Sequence, residues 1–425
     1  MERVYISEIE KKDNIEVLLK GWVENKRELG KLIFLILRDA KSKIQIIVKE
    51  DSPLFEEVKK LRREYVIEVK GVTKLNDKAP NGVEIIPQSI KILNTSESPL
   101  PIEFSGKIDT DLSKRLDYRF LDLRNHKTKK IFEIKSKFLY FARKFFYEKD
   151  FIEVHTPKIV CQGAEGGSEL FPILYYNKEG YLTQSPQFYK QILQSAGFEK
   201  VYEIGPIYRA EKSHTVRHLS EFFGIDCEIS FINSYEDLMK LIENFIKYSL
   251  IKLGESCKEE FKFLNIDLPQ IINPIPKITL KEIGKLINKE CNDLSPEDEK
   301  KVGIKIKEKY NTDFVFIIDY PFEARPFYTM KKGDNLTYSF DLLFKGLEII
   351  TGSQREHNLN TLKNQAKEKN ISLDSISFYL DAFKYGMPPH GGFGFGIERF
   401  IMQLLDLKNI RESSLFPRDV ERLMP

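Results

Sequence analysis

Four stretches of the chain gather side chains able to do chemistry. In Gly205-Pro206-Ile207-Tyr208-Arg209-Ala210-Glu211 an arginine closes an apolar run and an acid stands two residues on. Arg217-His218-Leu219-Ser220-Glu221-Phe222 follows after a short loop. A guanidinium fork matches two oxygens of a phosphate or carboxylate. Glu211 could accept from an exocyclic amine, and Phe222 could stack on a purine. The second stretch holds Asp341, Glu348, Thr351 and Arg355. In one plain strand Asp341 and Glu348 would face opposite ways, but a turn near Lys345-Gly346 could bring both to one cavity. Two carboxylates and a hydroxyl are magnesium-type ligands. The third is Gly391 to Arg399, GGFGFGIER, where glycines let the backbone approach a ligand. It runs into a helix (Ile397, Phe400, Ile401, Leu404) with Arg399 in its first turns. The fourth, Gln184-Ser185-Pro186-Gln187-Phe188-Tyr189-Lys190-Gln191, offers amide, hydroxyl and ammonium groups over two helical turns.

Each stretch taken singly has a plainer reading. Charged hairpins are usually solvated. Strand-edge acids and a glycine turn before a helix are ordinary, and the fourth stretch could be a capped helix start. The familiar nucleotide signatures are absent from the sequence. It contains no GxxxxGK[ST], and the cluster Gly391-Gly392-Phe393-Gly394-Phe395-Gly396 does not match the dinucleotide fingerprint. A nucleotide, if bound, is held another way.

These stretches need elements to position them. The first hundred residues alternate as short strands: Ile15, Val17 and Leu19; Ile33, Leu35 and Leu37; Ile44, Ile46 and Val48. A short helix follows (Leu54, Val58, Leu61), then strands at Ile67–Val69 and Val83–Ile85 around a turn at Lys78–Gly82. Three strands, a helix and two strands is the order of an OB-fold barrel. Asn94 to Pro101 reads as a linker, and Asp109 to Arg124 as a small hinge module. From Lys127 the period becomes helical, with Ile131, Ile134, Phe138, Phe141 and Phe145 up to Tyr147. Later segments read as one large, mostly antiparallel sheet: 202–207, 224–231, 314–319, 339–344 and 346–350. Residues 255–310 are lysine-rich and read as an insertion.

Composition bounds the partners. The chain has 425 residues, 41% hydrophobic and 31% charged, enough for two or three folded domains. Sixty-seven basic against 64 acidic residues leave +3, so a nucleic acid must meet a local basic surface. The cysteines Cys161, Cys227, Cys257 and Cys291 are widely spaced, which suits a reducing cytosol. The opening MERVYISEIEKKDN does not read as a signal peptide, and no apolar run reaches the ~20 residues that cross a bilayer. The expectation is a cytoplasmic protein with no membrane partner.

In this order the stretches resemble a class II aminoacyl-tRNA synthetase of subclass b. Phe151-Ile152-Glu153-Val154-His155-Thr156-Pro157 resembles motif 1, Tyr208–Glu211 with Arg217-His218 motif 2, and Gly394–Arg399 motif 3. The resemblance covers nearly the whole chain. It implies an α+β protein: an OB-fold anticodon-binding domain over 1–101, a hinge over 102–126 and a catalytic domain over 127–425. That catalytic domain would hold a six- to seven-stranded antiparallel sheet flanked by helices. Glu165–Phe171, QSPQFYKQ and TGSQREH resemble the aspartyl branch, in its archaeal and eukaryal form. Lys190 and Arg355 would be two cations for one substrate carboxylate.

The resemblance implies roles for single residues. Arg209 would bind the α-phosphate and the reacting carboxylate, and Arg399 the γ-phosphate. Glu211 would read the adenine amine, with Phe222 stacked on the ring. Arg217, His218, Leu219 and Gly396 complete the ATP site. Asp341, Glu348 and Thr351 would hold Mg2+. L-aspartate would meet Glu165, Ser185, Gln187, Lys190, Asp226, Thr351 and Arg355. In the barrel, Phe34 would stack on an anticodon base, Gln45 would read the central uracil, and Arg27 lies near both. The implied partners are ATP, L-aspartate, tRNA(Asp) and a second copy of the chain. The phenylalanine excess on the helix ending at Tyr147 also suggests a two-fold dimer. The turn at Pro80 resembles relatives that also charge tRNA(Asn). Those relaxed relatives tend to carry His where Glu24 stands, and strict ones Trp. The alternatives are an asparaginyl enzyme or asparagine-forming relative, which generally lacks the lysine at position 190, and a non-catalytic OB-fold RNA-binding paralogue. Such paralogues usually lose motif residues, whereas Arg209, Glu211, Arg355 and Arg399 are all present.

Overall fold

The computed structural model describes residues 1–425 apart from 107, 164–168, 213, 214, 334 and 425. It divides into two compact units, Met1–Pro101 and Ile102–Pro425.

The first unit is a closed barrel. Its strands are β1 (Glu16–Leu29), β2 (Leu32–Arg38), β3 (Lys43–Lys49), β4 (Val66–Leu75) and β5 (Val83–Asn94), in the order β1-β2-β3-β5-β4. The short helix α1 (Phe55–Lys60) lies between β3 and β4. Alternation decides the two faces. Ile33, Leu35, Leu37, Ile44, Ile46 and Val48 fill the interior, so Phe34, Ile36, Gln45 and Ile47 point outward. Closure removes the free edges a small sheet would otherwise expose.

The second unit is built on an eight-stranded sheet. In chain order its strands are β6 (Ile152–Glu153), β7 (Lys200–Tyr208), β8 (Glu221–Ser230), β9 (Lys277–Thr279), β10 (Phe314–Ile318), β11 (Ser339–Phe344), β12 (Leu347–Gln354) and β13 (His390–Gly396). Across the sheet the order is β9-β10-β11-β12-β13-β8-β7-β6. Six central strands are antiparallel, and β9 and β6 add one parallel pairing at each edge. One face is covered by α2 (His126–Tyr147) and α4 (Tyr235–Ser256), and α3 (Gln187–Ser195) lies beside β8.

Two expectations change here. Three of the α2 phenylalanines, Phe138, Phe145 and Phe146, are buried inside the chain rather than left for a partner, and Phe132 and Phe141 are partly so. Phe138 lies 5.7 Å from Phe395 and 4.8 Å from Phe400, and Phe146 stacks on Tyr202 at 4.7 Å. Tyr140 and Tyr147 are the large hydrophobic side chains that α2 leaves exposed. The stretch 255–310 is woven into the domain. It supplies the edge strand β9 and α5 (Pro296–Tyr310), whose Val302 and Ile306 pack with Val315, Ile317 and Leu343.

Candidate active site

The face of the sheet turned away from α2 and α4 carries a row of polar side chains set by strand register. Glu203 pairs with Asp226, Asp226 with Gly394, Gly394 with Thr351, and Thr351 with Asp341. The glycine run is therefore a central strand, β13, and not a turn. Its period of two sends Phe393 and Phe395 into the core and leaves Gly392, Gly394 and Gly396 on the cleft face. A Cβ on Gly394 would meet only Asp226 Oδ1, at 3.6 Å, so glycine leaves the floor of the cleft bare.

The hairpin β11–β12 solves the spacing of the acids in two moves. Lys345 (φ 48°) and Gly346 (φ 72°) form a two-residue turn that puts Glu348 on the face of Asp341. A bulge at Ile349 then shifts the register, so that Thr351, Ser353 and Arg355 share that face too.

A cleft of about 300 Å³ opens over this floor. Its lining includes Ser185, Gln187, Lys190, Arg209, Glu211, Arg217, His218, Leu219, Phe222, Asp226, Glu348, Thr351, Arg355, Gly396 and Arg399. Glu165 lies outside the described residues. One expected residue among those described is not on the cleft wall. Asp341 is buried beneath Arg325, which donates to it from Nη2 at 2.7 Å, because Arg325 and not Asp341 reaches the cleft.

At one end the two expected cations meet acids. Lys190 Nζ donates to Asp226 Oδ1 at 2.9 Å and lies 3.5 Å from Glu228 Oε2. Arg355 donates from Nε to Glu228 at 3.0 Å, from Nη1 to Ser353 at 2.6 Å and from Nη2 to Gln187 at 3.4 Å. Burial pushes the Glu228 carboxyl up, but Arg355 and Lys190 outweigh it and hold it below the usual range. Two carboxylates, Asp226 and Glu228, therefore already balance these two cations. Behind them runs a buried amide chain. Gln187 donates to Gln191, Gln191 donates to His390 Nε2, and His390 Nδ1–H donates to the Pro388 carbonyl. Burial holds His390 neutral, its pKa down at about 4.

At the other end guanidinium groups gather. Arg209 closes β7, its backbone N–H bonded to the Ser220 carbonyl, and its guanidinium lies 5.9 Å from the Phe222 ring centre. Glu211 faces Arg209 at 3.7 Å and His218 at 3.5 Å. Burial lowers the His218 pKa, as do Arg399, Arg217 and Arg209, while Glu211 opposes them. Arg217 donates to both oxygens of Glu299 at 3.0 Å, and Arg399 to the Glu348 carbonyl at 3.1 Å and carboxylate at 3.3 Å.

Asp341, Glu348 and Thr351 also bear on a divalent cation. Among the described residues no three His, Cys, Asp or Glu side chains cluster tightly enough to hold a metal by themselves. Magnesium commonly takes one or two carboxylates and completes its shell with phosphate and water. Asp341 Oδ1 is buried without a hydrogen-bond partner. Burial, then the Asp341 charge, pushes the Glu348 carboxyl up to about 7. Two carboxylates and a hydroxyl are hard oxygen donors, so the donor set fits a divalent cation.

On the barrel, Phe34 stands directly across from Arg27 and Ile36 across from Gln45. Gln45 Nε2 donates to Glu84, which also accepts from Asn76 at 2.9 Å. Pro80 is exposed on the turn before β5, where Asn81 donates to the Lys43 carbonyl. Glu24 is the bulge residue of β1, 3.8 Å from Arg38 and 3.4 Å from Lys43.

Sequence reasoning missed Glu228, Glu299, Arg325 and Glu84. Glu228 had a signal, since it alternates with Asp226 on one strand. Glu299 sits in the stretch read as an insertion, and Arg325 in a loop without periodicity.

Comparison with known proteins agrees with this fold. Residues 111–420 match the family model for tRNA synthetases class II (D, K and N), and residues 17–93 match the OB-fold nucleic acid binding domain. The chain belongs to the class II tRNA synthetases of the D, K and N group. It is 46% identical over 423 residues to the aspartate–tRNA(Asp/Asn) ligase of Methanopyrus kandleri, with 97% of each chain covered. It is 43% identical to the aspartate–tRNA(Asp) ligase of Pyrococcus furiosus, with 99% of each covered. The asparaginyl-tRNA synthetase of Pyrococcus horikoshii, solved with asparaginyl-adenylate, superposes with a TM-score of 0.93 at 32% identity over the whole of both chains. Within the family the chain is of the archaeal aspartyl type.

Proposed function

We propose how this chain, an aspartate–tRNA ligase, carries out its two steps. The L-aspartate α-carboxylate attacks the α-phosphate of ATP, giving aspartyl-adenylate and pyrophosphate. The terminal ribose of tRNA(Asp) then attacks the adenylate carbonyl, and AMP leaves. Both first substrates are anions, so the barrier is largely electrostatic. Arg209 lies between the α-phosphate and the attacking carboxylate, and Arg399 meets the γ-phosphate. Phe222 and Glu211 hold the adenine, with Arg217, His218, Leu219 and Gly396 around the phosphates. Ser185, Gln187 and Asp226 take the amino-acid head group, and Lys190 and Arg355 its side chain. No protein nucleophile is needed, because positioning supplies much of the rate. Glu348, Asp341 and Thr351 would hold magnesium, which would supply neutralising charge at the phosphates.

The observation that carries this reading is the convergence of Lys190, from α3, and Arg355, just past β12, on one end of the cleft beside Asp226. Pyrophosphate exchange tests it, with aspartate expected to drive the reaction and asparagine not. Exchange driven by asparagine alone would establish the asparaginyl reading, which the Pyrococcus horikoshii superposition keeps in view.

Relaxed tRNA use is favoured by Pro80 and by the Methanopyrus kandleri relative, named for both tRNAs. Separate tRNA(Asp) and tRNA(Asn) transcripts decide it: charging of both supports the relaxed reading. A two-fold dimer is proposed from the motif 1 resemblance and from exposed Tyr147, Ile152 and Phe198 near the edge strand β6. Sedimentation at about twice 49.7 kDa would bear it out. A cytoplasmic setting fits the four unpaired cysteines. Among the described residues no helix is long and apolar enough to cross a membrane.

A further inference from the structure

Arg325 belongs to none of the three motifs, yet it occupies the place where a divalent cation would do its work. Its guanidinium lies 3.7 Å from the ring centre of Tyr320, itself fully buried. Nη2 donates to Asp341 Oδ2 at 2.7 Å and Nη1 to Thr351 Oγ1 at 3.2 Å. Those are two of the three side chains assigned to magnesium, and Glu348 is close enough to feel the same charge. Asp293 adds a third acid nearby, influenced by both Asp341 and Arg325. Arginine cannot shed its proton at any working pH, so this charge is permanent. Magnesium sits about 2.0–2.1 Å from its oxygen ligands. A cation bound to Asp341 Oδ2 and Thr351 Oγ1 would therefore come within a few ångströms of the guanidinium, and the two would repel.

We propose that Arg325 is a positioning residue that makes metal binding depend on the nucleotide. In the nucleotide-free enzyme its guanidinium neutralises Asp341 and occupies the Thr351 hydroxyl, which keeps a divalent cation out. The triphosphate brings negative charge that offers the guanidinium a new partner and the cation its remaining ligands. Metal and ATP then enter together, and the acids do not fill with metal beforehand.

This rests on the magnesium reading of Asp341, Glu348 and Thr351, and the test separates the two. Mn2+ serves as the probe, and its binding is followed by electron paramagnetic resonance on the intact chain with and without ATP. The parent is expected to bind Mn2+ weakly without ATP and more tightly with it. Arg325→Met is expected to bind Mn2+ without nucleotide roughly tenfold tighter than the parent or better. Arg325→Lys keeps the charge and is expected to stay at the parent level. A structural role alone would not produce a gain of metal affinity. Nucleotide-free binding by Arg325→Met no tighter than the parent overturns the proposal, as does equal tightening in Arg325→Lys. If Arg325→Met does not fold, the parent decides, since equal affinity with and without ATP overturns it. Glu348→Gln distinguishes the underlying reading. If Glu348→Gln with ATP holds Mn2+ as well as the parent does, the metal assignment itself fails and the proposal falls with it.

Discussion

Glu228 stands between the two cations proposed to meet the substrate side chain, accepting Arg355 Nε at 3.0 Å on one oxygen and lying 3.5 Å from Lys190 on the other. With Asp226 on Lys190, two positive and two negative charges cancel. Net positive charge therefore does not select a carboxylate here. Selection falls to directed N–H groups: Arg355 spends four of its five on Glu228, Ser353 and Gln187 among the described residues. A carboxylate accepts from what remains, whereas a carboxamide can turn an NH2 towards a donor and lose the bond.

Arg355→Ala should abolish aspartate-dependent pyrophosphate exchange and also lower the melting temperature. It strands a fully buried Glu228, a loss of about 3–5 kcal/mol. The pair Glu228→Gln with Arg355→Gln removes both charges and should regain much of the melting temperature while exchange stays absent. Near-normal exchange in either variant would refute the substrate role of Arg355.

Glu348→Gln keeps the shape of the side chain and removes its charge. Adenylation should slow, and the magnesium concentration needed for half-maximal rate should rise. A magnesium titration that overlays the parent would remove Glu348 from the metal site.

His390 gives a pH signature. Its pKa falls from 6.5 unfolded to about 4 folded, through burial, with Arg355 and His357 lowering it and Glu228 and the Pro388 carbonyl opposing. A folded pKa below the unfolded one means the fold prefers the neutral ring. That stability is complete above about pH 6.5 and is lost as pH falls towards 4, by up to about 3 kcal/mol. Thermal melts between pH 8 and pH 4 should show a shallower acid decline in His390→Gln than in the parent. Superimposable pH profiles would mean the ring does not titrate this way.

Phe34→Ala should weaken tRNA charging about tenfold to a hundredfold, since a stacked base is worth ~1–3 kcal/mol. Tyrosine or tryptophan there should restore it. Phe34 faces outward beside Arg27, so pyrophosphate exchange and the melting temperature should hardly move. Parallel loss of both activities with a lower melting temperature would instead mark a packing residue.

The sequence by itself determined the barrel and the chemical cast of the cleft. Strict alternation in β2 and β3 put Ile33, Leu35, Ile44 and Ile46 inside and so turned Phe34 and Gln45 out, because a period of two leaves each residue one face. Arg209, Lys190, Arg355 and Arg399 were legible by residue type and motif order. Tertiary structure decided what these groups meet. GGFGFG reads as a turn because glycine is a poor strand former, and only pairing with β8 and β12 on both sides makes it a strand. The bulge at Ile349 leaves no trace in composition, yet it is what brings Thr351 onto the face of Glu348. The partners of the charges were hidden for the same reason. Glu228 is 127 residues from Arg355, and Glu299 is 82 from Arg217. Spacing along the chain reports faces within one element, whereas charge compensation is settled across elements, where only the folded register brings acid to base.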